Sequence, residues 1–100
     1  MIDHIVLFKF KIGTEKSAIN KMAAQLAGLK HVIPEIISIT CGENFSNRAQ
    51  GFEQGLVVRF ASRCDLQIYG EHPIHRSVVE TYVKPILADI LAVDFESGVN

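Results

Sequence analysis

The sequence predicts an α+β fold: one antiparallel sheet with helices packed on one of its faces. Three observations predict it. Stretches rich in β-branched and aromatic residues with period-two alternation fall near 3–11 and 52–61, and shorter ones at 35–42 and 90–96. Apolar residues at helical spacing fill the intervals at 15–31 and 73–84. Pro34, Pro73 and Pro85 stand at the borders between these stretches. At 100 residues the chain fits one domain, 1–100, with one core and no linker, repeat or low-complexity segment.

The elements follow in order. "DHIVLFKFK" (3–11) is a strand with His4, Val6, Phe8 and Phe10 on one face and Ile5, Leu7, Lys9 and Lys11 on the other. Gly13-Thr14 breaks it, and Thr14 with Glu15 signals a helix start. Residues 15–31 then place Ile19, Met22, Ala23, Leu26 and Leu29 on one helical stripe, ended by Pro34. "EIISITCG" (35–42) is the second strand, "ENFSNRAQG" (43–51) a polar loop, and "FEQGLVVRFA" (52–61) the third strand. In that strand Gln54, Leu56, Val58 and Phe60 share a face. Ser62, with Asp65 three residues on, caps a short helix reaching Tyr69. Pro73 starts another helical stretch to about Lys84, Pro85 breaks it, and "ILAVDFE" (90–96) is the last strand.

The order β-α-β-β-α-β is that of the ferredoxin-like, split βαβ arrangement. Its helices cover one sheet face. The other, with Ile5, Leu7, Val57 and Ile36 or Ile37, is apolar and would be open in a single copy. Burying about 600 Å² of such surface is worth on the order of 15 kcal/mol before the cost of association. The expected assembly is therefore a homodimer with two sheets face to face.

Composition narrows the function classes. Apolar residues are 48% and charged residues 21%, as in an ordinary globular protein, and the formal net charge of -1 gives no basic field for nucleic acid or anionic membrane. No apolar run approaches the roughly 18 residues of a membrane span, and the start of the chain lacks the pattern of a secretory leader. Cys41 and Cys64 are isolated and read as reduced thiols. A cytoplasmic location is expected.

The most specific stretch is "EHPIHRSVVE" (71–80). One reading is purely structural: Pro73 suits a first helical turn, which leaves His72 at the cap and His75 in that turn. A second reading is chemical. A helix start disfavours imidazolium, so His75 stays neutral with an acceptor nitrogen for general-base work. Tyr69, just before the pair, can donate a hydrogen bond to a carbonyl or enolate oxygen, and His4 faces the same space from the first strand. Val6, Phe8, Leu56, Val58, Val78, Ile90 and Ala92, with His72, would line a sheet–helix pocket suited to a small apolar ligand. A third reading, a metal held by His72 and His75, lacks the third and fourth ligands a site needs. Neither a metal nor an organic cofactor is expected, and there is no glycine-rich phosphate loop.

Together, "HIVLFKFK", "IPEI", the spaced Gly42, Asn44 and Ser46, "VVRFASRCDL", "YGEHPIH" and "VKPILADILAVDF" resemble the stress-responsive α/β-barrel (Dabb) family over nearly the whole chain. The resemblance implies a dimeric α+β barrel. The family includes plant stress proteins, bacterial members of unknown role and a branch that cyclises linear polyketides. In that branch the second histidine of His-Pro-x-His is the base, the preceding tyrosine assists, and a first-strand histidine lines the pocket. Those positions are His75, Tyr69 and His4 here. The chain departs from the branch at Gln54, where the branch has histidine, and at Leu26, where it has an aromatic hydroxyl. The reading is thus a binder of a small carbonyl compound with histidine acid–base chemistry, or a stress protein whose oligomer is itself the function.

Overall fold

The computed structural model describes residues 1–98. Four strands form one antiparallel sheet: β1 (Ile2–Phe10), β2 (Ser38–Glu43), β3 (Gln54–Phe60) and β4 (Leu87–Glu96), in the order β2-β3-β1-β4. Helices α1 (Lys16–Gly28), α2 (Arg63–Glu71) and α3 (Pro73–Val78) lie on one face. This is the ferredoxin-like α+β fold predicted from the order of elements.

The alternation in β1 is what builds the core. Ile2, Val6, Phe8 and Phe10 are buried beneath the helices, and the cross-strand neighbours Leu56, Val58 and Phe60 are buried with them. Met22 and Leu26 from α1, Leu29 and Ile33 after it, and Tyr69, Val78 and Val83 from the second half close the core from above. Ser62 caps α2 as expected, its hydroxyl accepting from the Asp65 N–H at 3.1 Å.

Several boundaries differ from the sequence reading, each for a physical reason. The first helix is α-helical only to Gly28 and then tightens into a 3₁₀ turn, Leu29–His31, as helix ends often do. β2 begins at Ser38 rather than residue 35, because Ile36 turns inward to the core while Ile37 stays exposed. Only Ile37 of that pair is therefore open. The helix expected to run from Pro73 to Lys84 is α-helical only to Val78. A π-helical turn, Val79–Val83, and a 3₁₀ turn, Lys84–Ile86, complete it. Val78 and Val83 are both buried, and five residues apart an α-helix would turn them to different sides. Hydrogen bonding from i to i+5 brings such residues over one another, so one π turn lets both reach the core. β4 begins at Leu87, which pairs with Phe10 across an irregularity at Lys9/Phe10.

The β2–β3 loop is held by its own side chains. Asn44 Oδ1 accepts from the Ser46 N–H, Asn44 Nδ2 donates to the Ser46 and Phe52 carbonyls, and Ser46 Oγ accepts from the Arg48 N–H. Gln50 and Gly51 both have positive φ, and Gly51 at 89° needs the freedom glycine provides.

The outer sheet face has no cover within one copy. Val57 is 38% exposed, and Leu91, Val93 and Phe95 are 47–48% exposed. A hollow of about 470 Å³ opens over this side, with Leu7, Thr40, Gly55, Val57 and Phe52 among the residues lining it.

Candidate functional site

His4, Tyr69 and His75, from three different elements, meet at one end of the sheet–helix layer. β1 carries His4 on its helix-facing side with Val6 and Phe8. The last full turn of α2 carries Tyr69, which is almost wholly buried. His75 sits in the first turn of α3, three residues after the cap. The Tyr69 ring lies between the two imidazoles, with centroids 6.0 Å from His4 and 4.2 Å from His75, and it packs against Phe60 at 5.1 Å.

The environments of these groups differ. Nδ1 of His75 is buried and has no hydrogen-bond partner. Burial pushes the His75 pKa down; the Gly70 backbone opposes this, and His4, His72 and Arg76 add to the lowering. The ring is therefore neutral near pH 7. The direction agrees with the sequence argument, but burial leads and the helix start does not. Burial also pushes the Tyr69 phenol well up, with Cys41 nearby adding to it, so Tyr69 keeps its proton and remains a donor.

His4 has a partner that the sequence reading missed. Its Nδ1 meets Asp94 Oδ1 across the β1–β4 ladder, where His4 and Asp94 are direct neighbours. The carboxylate oxygen accepts from Nδ1–H, which leaves Nε2 as the ring nitrogen free of this contact. The signal was available: Ile90, Ala92 and Asp94 follow one another on the same face of one strand.

The remaining predicted residues are placed as follows. Val6, Phe8, Leu56, Val58 and Val78 pack together in the core. Ile90 and Ala92 lie on the helix side of β4, beyond the helices, and are exposed. His72 is the α3 cap, its Nδ1 accepting from the Ile74 N–H at 3.1 Å, so the structural reading accounts for that histidine. Gln54 is buried and donates to Cys41 Sγ at 3.4 Å. Leu26 is a core residue. An open groove of about 490 Å³, lined by Gly70, His75, Arg76, Val79, Glu80 and Lys84, reaches His75 from outside. Among the described residues no cluster of three or more His, Cys, Asp or Glu side chains could hold a metal ion.

Comparison with known proteins places the whole arrangement in a family. Residues 2–97 match the Stress responsive A/B Barrel Domain family, Dabb. The chain belongs to that family. A stress-response A/B barrel domain-containing protein of Arabidopsis thaliana is 36% identical over 95 residues. The match takes in 95% of this chain and 36% of that protein, so the chain spans about a third of the length of this relative. Among solved structures, the At3g17210 protein of Arabidopsis thaliana superposes with a TM-score of 0.90 at 22% identity, covering 100% of this chain and 98% of that one. A dimeric ferredoxin-like protein of unknown function from Thermobifida fusca gives 0.82 at 26% identity, covering 94% and 88%. A hydroxynitrile lyase from Passiflora edulis gives 0.85 at 20% identity, covering 94% and 90%. At such identities the Arabidopsis structure and the lyase show the shared fold alone. Among the described residues no helix is long and apolar enough to cross a membrane.

Proposed function

We propose that this Dabb chain works as a homodimer that binds a small, mainly apolar carbonyl compound and moves a proton on it with His75. The observation that carries the reading is the buried, unpartnered Nδ1 of a neutral His75 beside the Tyr69 phenol. Buried polar atoms nearly always have partners, and an orphan acceptor next to a protonated donor is a poised acid–base pair.

The step follows from these groups. The Nδ1 lone pair takes a proton from carbon α to the carbonyl, and the C–H electron pair becomes the C=C bond of an enolate. Tyr69 O–H donates to the developing oxyanion, and His4 lines the same end of the site. The imidazolium then returns its proton to another carbon of the enolate system, giving an isomer. In a ligand with a second carbonyl, the enolate carbon instead bonds to that carbonyl carbon and the imidazolium protonates the alkoxide left on its oxygen, with no change of overall oxidation state. A ligand reaching Nδ1 must displace the side chains around it, and Ile90 and Ala92 on β4 offer an apolar shelf beside His4. The Passiflora lyase is an enzyme on the same scaffold, which supports catalysis here by analogy of fold only.

The homodimer is supported by the uncovered outer face and by the dimeric state of the Thermobifida fusca protein. Two sheets joined by these faces would form the barrel for which the family is named.

Hydrogen–deuterium exchange into carbonyl compounds with acidic C–H bonds tests the chemistry. His75→Ala should lower exchange by about 10² to 10⁴-fold, and Tyr69→Phe should lower it less. Exchange that survives His75→Ala removes the mechanism. A second reading, a non-catalytic protein whose oligomer is the function, is favoured by the close packing of Val6, Phe8, Leu56, Val58 and Val78 where a pocket was expected. It predicts no exchange and no response to either substitution.

A further inference from the structure

The groove outside His75 has a charge pattern that the chemistry above does not use. Its lining carries three charged side chains, Arg76, Glu80 and Lys84. Lys84 Nζ and Glu80 Oε1 pair at 2.5 Å one helical turn apart, and so cancel one another. Arg76 has no ion pair among the described residues and is exposed. The groove is left with one uncompensated guanidinium beside the candidate base. The Arg76 charge also contributes, least of the causes, to the lowering of the His75 pKa.

Resting on the reading of His75 as the base, we propose that this groove is the mouth of the site and that Arg76 selects a carbonyl compound with an anionic terminus, a carboxylate. A guanidinium matches a carboxylate through two parallel N–H donors, which lysine cannot reproduce. Arg76 and His75 are consecutive residues, with Cα atoms about 3.8 Å apart, and both line the groove. A ligand lying in this groove of about 490 Å³ can meet both side chains, which makes the ligand class a keto acid small enough for that volume, with an otherwise apolar body. The π turn shapes this mouth, because Val79 and Glu80 on its wall belong to it and Lys84 follows it directly. The groove lies on the helix side, away from the sheet face assigned to the dimer, so assembly leaves it open.

The test uses two probes of nearly equal size, levulinate and its neutral methyl ester, with the full chain. Binding is read from the His75 imidazole signals by NMR, and proton abstraction from deuterium incorporation next to the ketone. Levulinate should bind about fivefold more tightly than the ester, the scale of one exposed ion pair. Arg76→Gln should erase that preference, Arg76→Lys should restore only part of it, and high salt should weaken it in the parent protein. Equal binding of the two probes overturns the proposal. So does a preference that persists in Arg76→Gln, or no response of His75 to either probe below about 10 mM. Preferential binding of levulinate without deuterium incorporation would uphold the mouth and refute the base. Incorporation into both probes at equal affinity would do the reverse.

Discussion

Val57→Asp should dissociate the dimer while leaving the protomer folded. Val57 is in the middle of β3, pairs with Ile5, and points away from the helices with 38% of its surface open. Burying the open part of Val57 is worth about 1 kcal/mol, since a full aliphatic side chain is worth about 1.5–3 kcal/mol. An aspartate there would also be taken out of water without a partner, at a cost of several kcal/mol. Two-fold symmetry places the substitution twice in each interface. Taking about 3 kcal/mol per copy gives about 6 kcal/mol per dimer, or roughly four powers of ten in Kd. A micromolar dimer becomes a monomer at any practical concentration, and a nanomolar one dissociates below about 10 μM. The assay is sedimentation velocity, which separates the 11.1 kDa chain from its dimer. Ile12→Asp is the control, because Ile12 is fully exposed just after β1 and away from the sheet face. Refutation comes from a parent protein that sediments as a stable monomer, or from a Val57→Asp dimer as tight as the parent.

Two further predictions concern the protomer. His75 has a folded pKa below its unfolded value near 6.5, so between those values the unfolded chain binds the extra proton. Its contribution to stability is fully present above that unfolded value and is lost as pH falls toward and below the folded one. Urea midpoints measured at steps from pH 7.5 to 5 should fall with acid in the parent and fall less in His75→Gln; equal slopes would contradict the burial of a neutral ring. Gly51→Ala should destabilise by about 1 kcal/mol and lower Tm by about 4–8 °C, because φ is 89° and the added Cβ would stand 3.2 Å from Lys9 Cε. An unchanged melting curve would mean that the loop adopts another backbone form.

How far the sequence could be read depended on the range of the interaction. Period-two alternation in β1 is a local signal, and from it followed the buried Val6, Phe8 and Phe10 and the helix-facing His4. Caps are local too: Ser62 and His72 both satisfy N–H groups within three residues of themselves. The π turn at Val79–Val83 was not legible, since it answers a demand made by the core on Val78 and Val83 together. β4 was read three residues short for the same reason: Leu87 is a strand residue because Phe10 lies opposite it.

The candidate site shows the same division. Its residue types could be named from the sequence, but their electrostatic states depend on neighbours distant along the chain. Asp94 reaches His4 as a hydrogen-bond partner from 90 residues away through one ladder pairing. The fall in the His75 pKa comes first from burial, which no spacing in "HPIH" encodes. Tyr69 is held between the two histidines because α2 packs against β1 and β3, while the Pro73 junction places His75 immediately past the end of that helix. The turn following α2 therefore fixes how far apart the proposed base and donor sit. The neighbouring π turn fixes the shape of the groove that leads to them. A substitution that restored regular α-helix through Val79–Val83 would rotate Glu80 and Lys84 relative to Arg76. It would change what the groove admits before it changed the chemistry of His75.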